Sequence, residues 1–203
     1  MKAPKLIVLA TNNRGKVREM RQLFGDLPLE VRSLADFAGI TDVEETGTTF
    51  RENAELKASE FATQTGHLCL ADDSGLEIEA LNGEPGVRSA RFAGSETSYA
   101  IKNAMLLEML GAANDELRRA RFVCAMALAA PGGEVIRTVE GLCPGTIASS
   151  PRGTNGFGYD PIFIPDGYGE TFGELTDDVK QRVSHRARAA NEIVRYLLDF
   201  IAV

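Results

Sequence analysis

The segment ADDSGLEIEALNGEPGVRSARFAG, residues 71–94, decides how the rest of the chain is read. It follows the apolar run HLCL (67–70), and HLCLAD (67–72) reads as a strand. Two carboxylates, Asp72 and Asp73, stand where that strand is expected to end, and Ser74 and Gly75 come next. Asp, Ser and Gly are ordinary turn residues, so one reading is a turn into a further strand, LEIEAL (76–81). The other reading is a metal site or a general base. From Gly83 to Gly94 the chain is rich in glycine and reads as a loop.

Upstream, KLIVLA (5–10) is a short apolar run with β-branched residues, the pattern of a buried strand. After the polar stretch TNNRGK (11–16), Val17, Met20 and Phe24 at spacings of three and four predict a helix that stops at Gly25. LEVRSL (29–34) reads as a second strand. Within residues 42–66, Thr49 and Glu52 have the spacing of a capping box. Phe50, Ala54, Ala58 and Phe61 form a helical stripe, and Gly66 ends it. Asn53 and Lys57, four residues apart, share one face of that helix. Downstream, SYAIKNAMLLEML (98–110) predicts a helix ended by Gly111. RARFVCAMALAAP (119–131) and GEVIRTVEGL (133–142) read as strands joined by Pro-Gly-Gly. PGTIAS (144–149) reads as a further short strand, RGTNGFGYDPIF (152–163) as an unusual loop, and Ser184 caps a last helix with Ala190, Val194, Leu197 and Ile201 along one side. Strands alternate with helices early and a hairpin comes later, which favours a mixed α/β sheet with helices packed on it.

The chain has 203 residues and a formal net charge of −7. That length suits one large domain or two intimate lobes, and no repeat or linker is visible. The negative balance argues against a nucleic acid duplex or an anionic membrane as main partner, while a local basic pocket for a small anion stays open. Cys69, Cys124 and Cys143 are far apart and form no CxxC pair, so neither a zinc site nor a disulfide framework is expected. The apolar run near the N-terminus is too short for a signal peptide, and no apolar stretch approaches the ~18 residues of a membrane span. The expected location is cytoplasmic.

Four places carry groups able to do chemistry. In Thr11, Asn12, Asn13, Arg14, Gly15 and Lys16, a polar loop leads from a strand into a helix N-terminus, where backbone N–H groups and the helix dipole favour an anion. It lacks the G-x-x-x-x-G-K-[ST] pattern, and a capped helix with an exposed lysine is the alternative. Glu44 and Glu45 with Asp72 and Asp73 read either as helix N-terminal charge and turn chemistry, or as oxygen ligands for Mg²⁺ with a carboxylate to accept a water proton. Phe157 and Tyr159 among glycines suit stacking on a flat base with Asp160 reading its edge, or else lie in the core beside a tight turn. KQRVSHRARA (180–189) gathers Lys180, His185 and Arg186, either as a donor cluster or as a solvated basic loop end. Spacing alone does not choose in any of these cases.

In combination they are far more specific. ATNNRGK (10–16), EETGTTFRENAELKA (44–58), residues 71–94, GTNGFGYDPIF (153–163) and KQRVSHR (180–186) occur in an order and spacing that resembles the inosine triphosphate pyrophosphatase (Ham1) family from residue 10 to residue 186. The resemblance implies an α/β fold over residues 1–203: one domain with an elongated mixed β-sheet, flanking helices, and two lobes around a central cleft. It implies Mg²⁺-dependent hydrolysis of ITP, dITP, XTP and dXTP to the monophosphate and pyrophosphate, by a homodimer. Carried onto this chain, residues Thr11 to Lys16 would hold the triphosphate, with Lys57 as helper. Glu45 and Asp73 would hold magnesium, Asp73 would activate water, and Ser74 would touch substrate. Phe157 would stack on the purine within the Gly158–Tyr159 loop, and Asp160 would read the base edge. Lys180, His185 and Arg186 would surround the base and its 6-oxo group, and Asp72 would support. A Maf-like pyrophosphatase for other nucleotides and a sensor that binds a purine nucleotide without cleaving it are the alternatives.

Overall fold

The apolar run near the N-terminus forms β1 (Lys5–Leu9), and the next element is α1 (Arg14–Phe24). The molecule is described from a computed structural model over residues 5–25, 27–111 and 115–202. β2 (Leu29–Ser33), α2 (Phe50–Thr65) and β3 (Leu68–Ile78) follow. Then come α3 (Tyr99–Leu110), β4 (Arg119–Ala129), β5 (Val135–Ile147), β6 (Phe163–Pro165), α4 (Asp177–Val183) and α5 (His185–Ala202). The strands form one six-stranded sheet in the order β2-β1-β3-β4-β5-β6. β1 pairs in parallel with β2 (Ile7 opposite Val31) and with β3 (Val8 opposite Cys69), whereas β5 and β6 are antiparallel. Parallel neighbours need crossover connections, and α1 and α2 supply them. The fold is therefore mixed α/β, as the alternation of apolar periods predicts.

The helix boundaries follow their local chemistry. Asn13 caps α1, its side-chain oxygen accepting from the N–H groups of Gly15 and Lys16. Thr49 and Glu52 close the expected capping box of α2, and Gly66 ends that helix with φ 68°, a left-handed conformation that glycine adopts without strain. Ser98 caps α3 and Gly111 follows its last residue.

Three expectations are corrected. Asp72–Gly75 makes no turn, because β3 runs unbroken through it to Ile78. Carboxylates favour turns because backbone N–H groups or water satisfy them there. Here side-chain cations do so inside the strand, as described below. PGTI is likewise the end of β5 and not a separate strand. The loop 152–163 contains a short 3-10 turn, Asp160–Ile162, and leads directly into β6, which with α4 has too few residues for a periodic signal.

The chain divides into two compact units. Unit 1 comprises the chain through Asp73, Cys124–Gly141 and the segment from Arg186 on; unit 2 comprises Ser74–Val123 and Leu142–His185. In unit 1 an apolar cluster joins Ile7, Leu9, Leu68, Leu70 and Met126 of the strands to Met20 and Phe24 of α1 and Ile193 and Leu197 of α5. Unit 2 has its own cluster, with Leu76, Ile78, Leu106, Phe122, Phe163 and Phe172. Truncating one of the fully buried phenylalanines to alanine costs about 3–5 kcal/mol in sites of this kind.

Candidate active site

In unit 1 the strand order reverses at β1: β2 lies on one side of it and β3 on the other. Ligands in open α/β sheets collect at such a point, beyond the carboxyl ends of the strands. The residues at that place are the loop 11–13 after β1 and Asp72–Asp73 in β3.

Asp73 is buried, and its Oδ1 accepts from Lys57 Nζ at 3.0 Å while its Oδ2 accepts from Asn53 Nδ2 at 3.3 Å. The same Lys57 ammonium donates to Glu45 Oε1 at 2.6 Å and to the Asp72 carbonyl at 2.8 Å. Asn53 Oδ1 accepts from Gly47 N at 2.8 Å, which ties the loop carrying Glu45 to α2. Gly47 has no substitute there, since a Cβ would lie 2.7 Å from Asn53 Oδ1. Burial pushes the Asp73 carboxyl above its ordinary value, with Lys57 and Lys16 opposing and the negative charge of Glu45 adding to the rise. Burial penalises the Lys57 ammonium, but Asp73, Asp72 and Glu45 together hold it above the ordinary lysine value. Glu44 is exposed.

Asp72 has a different environment. It is 1% exposed, and its Oδ2 lies 3.0 Å from Lys16 Nζ and 3.2 Å from Arg186 Nη2. Arg186, at the start of α5, also pairs through Nη1 with Glu19 of α1 at 2.5 Å. Burial alone would raise Asp72, but Lys16 and Arg186 outweigh it and hold the carboxyl well below the ordinary range. Arg186 stays charged against its own burial because Asp72 and Glu19 flank it. The guanidinium of Arg186, expected near the base, is engaged inside unit 1 by two carboxylates.

Around the loop 11–16, Asn13 takes the first two N–H groups of α1, Asn12 Nδ2 donates to Asp42 at 3.0 Å, and Lys16 faces Asp72. Arg14 is exposed. Thr11, Asn12 and Arg14 line a cavity of about 680 Å³ together with Arg18, Arg21 and Ser33.

Unit 2 carries the other predicted residues. Asp160 is buried, and its Oδ2 accepts from Lys180 Nζ at 2.5 Å and from the Phe157 N–H at 2.7 Å. Gly156, at φ 72°, allows this loop: a Cβ there would fall 2.0 Å from Asp160 Oδ2. Lys180 Nζ also stands 4.7 Å from the centroid of the half-buried Phe157 ring, within cation–π range. His185 is buried and stacks on Phe122, with ring centroids 4.6 Å apart. Of the two readings of Tyr159, the core one matches its place. It is buried, its hydroxyl donates to Ser89 O at 2.8 Å, and Tyr99 meets its ring edge-on. The carbonyl of Gly158 accepts from Asn103 Nδ2 at 3.3 Å. Ser74 begins unit 2 within β3.

Three clusters therefore assemble, Glu45–Lys57–Asp73 with Asn53 and Lys16–Asp72–Arg186 with Glu19 in unit 1, and Phe157–Asp160–Lys180 in unit 2. Glu19 was not anticipated; its only trace in the sequence is a charge one residue before Met20, on the buried arc of α1. Oxygen donors from one or two carboxylates are what Mg²⁺ takes from a protein. Glu45 and Asp73 fit that demand, since both already converge on a single positive charge, Lys57.

Comparison with known proteins gives one answer. The Ham1 family profile matches residues 7–196. A dITP/XTP pyrophosphatase of Exiguobacterium sp. strain AT1b is 50% identical over 195 residues, 96% of this chain and 98% of that protein. A HAM1 protein from Coxiella burnetii superposes with a TM-score of 0.87 at 43% identity, over 96% of this chain and 99% of the other. A dITP/XTP pyrophosphatase from Mycobacterium abscessus gives 0.75 at 45% identity, over 93% and 98%. The chain belongs to the Ham1 family.

Proposed function

We propose that this chain is a Mg²⁺-dependent pyrophosphatase that converts deaminated purine nucleoside triphosphates, ITP, XTP and their deoxy forms, to the monophosphate and pyrophosphate. The observation that carries the reading is Lys57, an ammonium bracketed by Glu45 and Asp73 at 2.6 and 3.0 Å. It is an arrangement for charge neutralisation around a phosphate with a carboxylate at hand. The relatives named dITP/XTP pyrophosphatase supply the substrate class.

In this reading Glu45 and Asp73 hold the divalent cation, which when bound neutralises phosphate charge. Asp73 accepts a proton from the water that attacks the α-phosphorus, a task suited to a carboxyl whose affinity for protons is raised. Lys57 stabilises the charge that builds on the leaving pyrophosphate. In unit 2, Phe157 offers its face to the purine, Asp160 holds the loop shape through its bond to the Phe157 N–H, and Lys180 and His185 are the donors for a 6-oxo group. A 6-amino group in that place would leave a buried donor unpaired, which disfavours adenine.

The protein acts as a homodimer in this reading, and the exposed stripe Ile101, Met105 and Met109 on α3 is the apolar surface for a second copy. Among the described residues no helix is long and apolar enough to cross a membrane. In this reading the protein works in the cytoplasm, on the nucleotide pool.

The test is product analysis of ITP with Mg²⁺, ATP and GTP in parallel, by anion-exchange chromatography. IMP and pyrophosphate from ITP with little from ATP or GTP is the expected result. IDP and phosphate would refute it, and bound but uncleaved ITP would make the protein a sensor.

A further inference from the structure

We infer that Lys102 and Asn103, neighbours on α3, are positioning residues for the purine-facing loop 153–163 of unit 2 and for the segment 83–94 bonded to it through Tyr159. The inference rests on the proposed role of Phe157 toward the purine and of Asp160 in holding its loop. Lys102 is 1% exposed, yet no carboxylate pairs with it among the described residues. Its Nζ donates to the carbonyl of Ala90 at 2.5 Å and stands 5.0 Å from the Tyr99 ring centroid. Burial pushes its pKa below the ordinary lysine value. A buried ammonium without a counter-ion is costly, and a well-packed apolar side chain of similar volume would avoid that cost. What the ammonium holds accounts for it, because a charged donor makes a stronger bond to a carbonyl than a neutral one.

The loop held by Lys102 is the glycine-rich segment 83–94. Ser89, the residue before Ala90, is tied on both sides: its Oγ accepts from Leu76 N at 2.9 Å and donates to Gly86 O at 2.6 Å. Its carbonyl accepts the Tyr159 hydroxyl. Asn103, 3% exposed, reaches the other loop by donating to Gly158 O, one residue from Phe157 and two from Asp160. Its Oδ1 is buried with no hydrogen-bond partner among the described residues, so the amide's orientation is set by the Gly158 carbonyl. Tyr99, one turn earlier, meets Tyr159 edge-on at 5.2 Å. The first turn of α3 thus grips residues 89–90 and 158–159 at once. The hydrogen bonds of Lys102 and Asn103 are to backbone carbonyls, so they fix where the loops lie without touching a nucleotide.

Lys102→Met keeps the length of the side chain and removes the donor and the charge. Amide hydrogen exchange at residues 88–91 should quicken about tenfold, with β1 unchanged, as loss of one charge-assisted bond predicts. KM for ITP should rise about tenfold while kcat stays within about twofold, the signature of lost uniform binding. Lys102→Gln is the second variant if the first does not fold. Unchanged exchange and KM in a folded variant would overturn the inference, as would a fall in kcat at constant KM. Failure of both variants to fold would make Lys102 a folding residue and overturn it too. Wild-type protein that yields no IMP from ITP would refute the proposed reaction instead, and exchange at 88–91 would then decide the positioning role by itself.

Discussion

Asp72 and Asp73 are adjacent in sequence and opposite in fate, and strand geometry is the cause. Successive side chains of a strand point to opposite faces. Leu68 and Leu70 pack with Met20 of α1 and Ile193 of α5, and Asp72, next on that face, meets Lys16 of α1 and Arg186 of α5. Cys69 touches Thr65 of α2 on the other face, and Asp73 there meets Asn53 and Lys57 of the same helix. The roles should separate by mutation. Asp73→Asn should lower kcat by a factor of about 10²–10⁴, the range for loss of a general base, with the melting temperature nearly unchanged; near-normal kcat would remove Asp73 from that role. Asp72 should govern acid stability. Its folded pKa is depressed, so its contribution is fully present above the unfolded carboxylate value near 3.8 and is lost as pH falls toward the lower folded value. Asp72→Asn should flatten the fall in stability below about pH 4, and an unchanged slope would show that Lys16 and Arg186 do not hold this charge. Removing Arg186 instead takes one cation from Asp72, which keeps Lys16, and one from Glu19, a loss of about 3–5 kcal/mol for a broken buried pair.

At the scale of elements, the helices were legible because their signals are local. The capping box at Thr49 and Glu52, the stop at Gly66 and the four-residue spacing of Asn53 and Lys57 all appear in the structure as read. The path of β3 was not legible, because whether Asp-Asp-Ser-Gly turns depends on cations that arrive from residues 16, 57 and 186. Such long-range compensation leaves no local pattern. Tyr159 illustrates the same limit: nothing near it announces that its hydroxyl is taken by Ser89, 70 residues away. The apolar stripe on α3 belongs at this scale as well. Ile101, Met105 and Met109 recur every four residues on the exposed side of that helix. Met105→Glu should shift the protein from dimer to monomer in sedimentation equilibrium, and a wild-type monomer would show that this stripe has no second copy to cover.

For the molecule as a whole, two apolar cores in two units carry two kinds of chemistry, cations and carboxylates in unit 1, an aromatic loop with a buried lysine in unit 2. The motifs at 10–16, 44–58, 71–94, 153–163 and 180–186 pointed to the family because they are read as a set; no single one separates a catalytic carboxylate from a turn. A net charge of −7 is also what a protein for small anionic substrates tolerates, provided lysines such as Lys16 and Lys57 are placed locally. In the proposed reaction water attacks the α-phosphorus and pyrophosphate leaves. Hydrolysis of ITP in water enriched in oxygen-18 tests it most directly, by mass spectrometry of both products. One heavy oxygen in IMP and none in pyrophosphate is the expected result; label in pyrophosphate, or release of phosphate alone, would contradict it.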